Sequence, residues 1–135
     1  MGRLAHGVWD RAKWKEHKEW WNVHSLTFDQ LRAANDSRTP VFKNRKGEQT
    51  NSTGWIPAQW LQAMVGEVGE YANFRKKFEH GDITHEQFII EATKELADVQ
   101  VYLDKLASCL GIDLGEATRA KFNEVSKRVG VDIFL

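Results

Sequence analysis

The chain has 135 residues and a mass of 15.6 kDa, with 19 basic and 19 acidic side chains, so its formal charge is zero. That balance argues against a protein that grips a nucleic-acid polymer, because such binding draws on counterions released by a basic face. No run approaches the ~20 apolar residues that span a bilayer.

Other simple features narrow the class. No apolar stretch follows Arg3, Asp10, Arg11 and Lys13, as a secretory signal would require. The single Cys109 cannot form an internal disulfide, which points to a reducing, cytoplasmic setting. Two prolines and 28% charged residues lean towards helix, and the length suits one domain over residues 1–135.

Residues 1–24 read as a Trp-rich N-terminal extension. Trp9, Trp14, Trp20 and Trp21 stand among lysines and glutamates and split into two stripes on a helical wheel. A helix of that kind needs cover on more than one side, which a subunit interface would supply. Thr27 with Gln30 forms a capping-box pattern opening a short helix from Phe28 to about Asn35. Residues 39–54 (TPVFKNRKGEQTNSTG) are polar, with little apolar periodicity, and read as a loop.

Three longer helices follow. Pro57 suits a first helical position, where its missing N–H costs nothing. From there Trp60, Leu61, Met64, Val65, Val68, Tyr71, Phe74 and Phe78 recur at three- and four-residue steps up to Gly81. Thr84 with Gln87 opens the next helix, striped by Phe88, Ala92, Leu96, Val99, Leu103, Leu106 and Leu110 and closed by Gly111. Cys109 reads there as a small core residue. Asp113 with Glu116 opens the last helix, through Ala117, Phe122 and Val125 to Gly130. The expected fold is all-α, an antiparallel helical bundle in which these three helices pack as neighbours.

The acids carry the functional signal. Five acidic pairs stand three residues apart: 16/19, 67/70, 79/82, 95/98 and 113/116. The last is explained by capping, 79/82 lies at a helix end, and 16/19 lies among lysines. The pairs Glu67/Glu70 and Glu95/Asp98 instead sit inside helices beside small or apolar residues, and each pair shares one helix face. Taking 100° per residue, Glu91, Glu95, Asp98 and Tyr102 fall within roughly 60° of one another. Gly66 and Gly69 cost about 1 kcal/mol each in a helix interior, and beside the acids they would admit a neighbouring backbone or a bulky ligand. Four semi-buried carboxylates need a cation, and an all-oxygen set suits Mg²⁺ or Mn²⁺ rather than zinc. A di-iron bundle would want Glu-x-x-His on two helices, which does not occur here.

Glu-Val-Gly-Glu at 67–70, Glu-Leu-Ala-Asp at 95–98 and Tyr102 a turn later resemble the MazG-like, all-α nucleoside triphosphate pyrophosphohydrolases. That family's pattern is E-x-x-E, a spacer, then E-x-x-D, and the resemblance covers about residues 55–128. It implies a bundle completed by dimerisation, as a homodimer or homotetramer with its site between subunits. It also implies Glu67, Glu70, Glu95 and Asp98 as Mg²⁺ ligands. The implied reaction cleaves a (deoxy)nucleoside triphosphate to the monophosphate and pyrophosphate, in the manner of nucleotide-pool house-cleaning.

The chemistry is consistent with the residue types. A cation held by carboxylates clamps triphosphate oxygens and acidifies a water, and a carboxylate not used by metal takes the proton. Glu67 and Glu91 are the candidates for that base. Lys77 and Lys121 are available for phosphate charge, and the family often shows Lys and Asn in the last helix, here Lys121 and Asn123. Those two are spaced two apart, whereas some members space them four apart. Tyr102 faces the same way as Asp98, towards a sugar or phosphate, and Trp60 shares the Glu67 side and could stack a base. The competing expectation is a non-enzymatic helical interaction module that docks through its Trp-rich N-terminus.

Overall fold

The computed structural model describes residues 25–50 and 52–135, and the Trp-rich extension of residues 1–24 lies outside them. Among the described residues there are four α-helices and no strand: α1 (Phe28–Arg38), α2 (Pro57–Glu79), α3 (His85–Cys109) and α4 (Leu114–Val129). No described helix is long and apolar enough to cross a membrane.

Local chemistry sets the helix ends. Thr27 Oγ1 accepts from the Gln30 N–H at 3.1 Å, and Gln30 Oε1 accepts from the Thr27 N–H at 2.9 Å. The same reciprocal box joins Thr84 and Gln87 at 3.1 and 2.9 Å. At α4 only half of the expected box forms. Asp113 accepts from the Glu116 N–H at 3.0 Å, while the Glu116 carboxylate turns to Arg119. Gly81 and Gly111 turn the chain after α2 and α3 at φ of 78° and 69°, a left-handed region that only glycine enters without strain. The 39–54 segment is more ordered than a plain loop. It contains short 3₁₀ turns at Thr39–Val41 and Ser52–Gly54 and a Lys43–Gln49 bridge.

The helices α2 and α3 form an antiparallel pair. At one end Phe78 stacks on Phe88 with ring centroids 5.3 Å apart, and at the other Trp60 faces Tyr102 at 6.2 Å. Among the described residues Trp60, Phe88, Ala92 and Ala107 are the buried apolar ones. Leu61, Val65, Val68 and Leu96, although on the expected stripes, are exposed. Apolar residues occupy more than one face of each helix, and one partner covers only one face.

The three-helix neighbour arrangement is not what forms. The packing partner of α4 is α1, where Phe28 lies close against Gly115. The outer face of α4 instead lines an open groove of about 650 Å³ with Leu114, Phe122, Val125, Val129 and the following Val131 and Ile133.

What holds α1 is polar and buried. Asp104, only 1% exposed, accepts from Arg32 Nε at 2.9 Å on one oxygen and from Asn35 Nδ2 at 2.9 Å on the other. Arg32 also reaches the Ile112 carbonyl at 3.1 Å, and Asn35 reaches that of Val101 at 3.3 Å. Removing one partner of a buried pair strands the other charge, whereas replacing both by apolar groups does not. Arg32→Ala is therefore expected to destabilise the fold by about 3 kcal/mol, and the double variant Arg32→Met/Asp104→Leu by clearly less. Urea unfolding checks this; equal losses in the two variants would refute it.

Candidate metal centre

Because α2 and α3 run antiparallel, the middle of one meets the middle of the other. One carboxylate oxygen from each of Glu67, Glu95 and Asp98 lies within 4.8 Å of the other two. Glu95 is buried at 7% exposure, Glu67 is half-buried, and Asp98 is exposed. None of the ion pairs among the described residues involves any of the three.

The consequence is electrostatic. The Glu67 carboxyl is pushed up from 4.5 to about 7. Desolvation is the largest cause, followed by a hydrogen bond shared with Glu95 and then the negative charges of Asp98, Glu70 and Glu95. Tyr102, one turn past Asp98, also has its hydroxyl raised. Burial leads there, Glu67 and Asp98 add to it, and the positive charge of Arg38 opposes them.

Other expected site residues fall into three groups. Glu70 is exposed and its charge reaches Glu67, yet its carboxylate stays outside the group of three. Glu91 pairs with Lys94 at 2.9 Å and is also outside it. Trp60 lies close by, but it is buried between the rings of Trp55 at 4.7 Å and Tyr102 at 6.2 Å, with Lys105 Nζ 5.4 Å from its centroid. Beside it opens a cleft of about 210 Å³ lined by Asp36, Thr39, Trp55, Trp60, Lys105 and Ser108.

Lys77, Lys121 and Asn123 do not enter the electrostatics of Glu67 or Tyr102. Lys77 lies ten residues along α2 from Glu67, about 15 Å of helix, with Nζ 5.0 Å from the Phe74 ring. Lys121 pairs with Glu124. Asn123 holds the backbone of Leu135, accepting from its N–H at 2.8 Å and donating to its main-chain oxygen at 3.2 Å. For Lys121 and Asn123 the cause is tertiary: α4 packs on α1 rather than beside the acid-bearing pair.

Two smaller expectations also change. A Cβ at Gly66 or Gly69 would meet nothing within 4 Å, so no described residue uses the space they leave. Cys109 is exposed, with Sγ 3.5 Å from the Trp55 carbonyl. Compared with known proteins, the chain matches no family model and no curated relative.

Glu67 binds its proton more tightly in the folded chain than in the unfolded one. Folding stability should therefore fall as the pH rises from about 4.5 to about 7, because deprotonation leaves a desolvated charge beside Glu95, Asp98 and Glu70. Metal-free protein is expected to lose melting temperature over that window, and Glu67→Gln to lose most of the dependence. A parallel pH profile in the variant would refute the assignment.

Proposed function

We propose that this chain hydrolyses (deoxy)nucleoside triphosphates to the nucleoside monophosphate and pyrophosphate, with Mg²⁺ as its cofactor and Mn²⁺ as an alternative. The observation that carries this reading is the convergence of Glu67, Glu95 and Asp98 from two helices with no ion pair to a cationic side chain among the described residues. Their donor set is all oxygen, with no imidazole or thiolate in the group, and suits a hard divalent ion. The E-x-x-E and E-x-x-D motifs and their resemblance to the MazG-like pyrophosphohydrolases support the same conclusion.

In this reading Glu95 and Asp98 hold the ion with Glu67, and Glu70 adds negative charge from one turn away. A bound Mg²⁺ would supply charge neutralisation for the triphosphate oxygens and acidify a water. Glu67 is the better base of the two acids considered. Its carboxylate stands within the group of three, next to where a metal-bound water would sit, whereas Glu91 is committed to Lys94. The Tyr102 hydroxyl, kept protonated by its surroundings, donates to a sugar or phosphate oxygen. The cleft beside Trp55 and Trp60 accommodates the base, with Trp55 as the half-exposed ring.

Assembly belongs to the proposal. Leu61, Val65, Val68 and Leu96 leave apolar surface on the acid-bearing pair, and Phe122, Val129, Val131 and Ile133 leave more on and beyond α4. A homodimer or homotetramer would cover these faces. It would also give Lys121 and Asn123 a route to a neighbouring subunit's site. The protein then acts in the cytoplasm on the nucleotide pool.

The test is pyrophosphate release from a panel of canonical and modified dNTPs, with Mg²⁺ and with EDTA. Release is expected to need the metal and to fall at least about 100-fold in Asp98→Ala and Glu95→Gln, with a smaller loss in Glu70→Ala. Release that persists in EDTA would contradict the mechanism. No release from any nucleotide would favour the interaction module.

A further inference from the structure

A triphosphate carries more negative charge than one divalent ion neutralises, so its site calls for a side-chain cation as well. The lysines considered from sequence are engaged elsewhere in this chain: Lys121 with Glu124, and Lys77 over the Phe74 ring. Lys105, beside Trp60, is held by Asp36 at 3.1 Å.

Arg38, in the last turn of α1, is placed differently. Among the described residues it forms no ion pair, and it is exposed. Its guanidinium donates to Asn35 Oδ1 at 3.5 Å and lies 5.9 Å from the centroid of the Phe42 ring. Asn35 is itself fixed on α3, donating to the carbonyl of Val101 and to buried Asp104. Val101 immediately precedes Tyr102. The end of α1 is thereby tied to the turn of α3 that follows Asp98. The Arg38 charge is felt at the Tyr102 hydroxyl, the same group on which Glu67 and Asp98 act with opposite sign.

We propose that Arg38, tied through Asn35 to the turn of α3 that carries Tyr102, binds the phosphate tail of the substrate whose metal Glu67, Glu95 and Asp98 hold. This rests on the reading of those carboxylates as a divalent-cation site for a nucleoside triphosphate. A guanidinium presents two N–H groups to two phosphate oxygens. The contacts with Asn35 and Phe42 restrain the Arg38 side chain before any anion arrives, which lowers the entropy lost on binding.

The deciding experiment is calorimetric titration of the full chain with inorganic tripolyphosphate in the presence of Mn²⁺. It is run on the parent, Arg38→Ala, Arg38→Lys and Arg119→Ala, beside titrations with Mn²⁺ alone. Arg38→Ala is expected to weaken tripolyphosphate binding about tenfold or more, and Arg38→Lys to retain part of it. Arg119→Ala, which removes a surface cation paired with Glu116, should bind as the parent does, while Mn²⁺ affinity and melting temperature should be unchanged in every variant. Parent-like tripolyphosphate binding by Arg38→Ala overturns the proposal and leaves the metal reading intact. An equal loss of Mn²⁺ affinity in Arg38→Ala also overturns it, by showing a structural role. A parent that binds Mn²⁺ without tripolyphosphate overturns the triphosphate reading, and a parent that binds neither overturns the cation site; the proposal falls with either.

Discussion

Mutual repulsion among three carboxylates is the constraint around which this chain is organised. Among the described residues Glu67, Glu95 and Asp98 pair with no lysine or arginine, and burial together with that repulsion lets Glu67 keep its proton to near neutrality. Helix packing holds the acids in place. Phe78 on Phe88 fixes one end of the α2–α3 pair, and Trp60 with Trp55 and Tyr102 fixes the other. Neither helix can rotate to separate the acids without breaking those contacts.

A second anchor works on the opposite side of α3. Asp104 follows Glu95 by nine residues, which at 100° per residue is half a turn around the helix. The two buried acids of α3 therefore face different neighbours and meet different fates. Asp104 is neutralised by Arg32 and bonded by Asn35, whereas Glu95 has acids for company. The first is a structural ion pair that seats α1. The second carries excess negative charge, which in the proposed function a cation balances.

Much of this was legible because it is local. Capping boxes at Thr27 and Thr84 and the glycine stops at Gly81 and Gly111 depend on residues a few positions apart, and they form as the pattern implies. The meeting of Glu67 with Glu95 and Asp98 was legible because one short connection forces α2 and α3 antiparallel. Asp104 was not, since its partners Arg32 and Asn35 are 72 and 69 residues away and a single acid on a helix reads as solvated. Lys121 and Asn123 do not meet the acids within one chain for a related reason. Helix periodicity says which face a residue is on, and not which neighbour that face will meet. The same gap explains the exposed Leu61, Val65 and Val68, whose apolar character is plain in the sequence and whose cover is not.

Whether the carboxylates bind a divalent ion is the point on which catalysis, base choice and phosphate binding all rest. The most direct measurement is calorimetric titration of Mn²⁺ into metal-free parent protein and into Glu95→Gln near neutral pH. The expected result is saturable binding in the parent, with protons released as Glu67 ionises, and its loss in the variant. Absence of saturable binding in the parent, or undiminished binding in Glu95→Gln, would contradict the assignment.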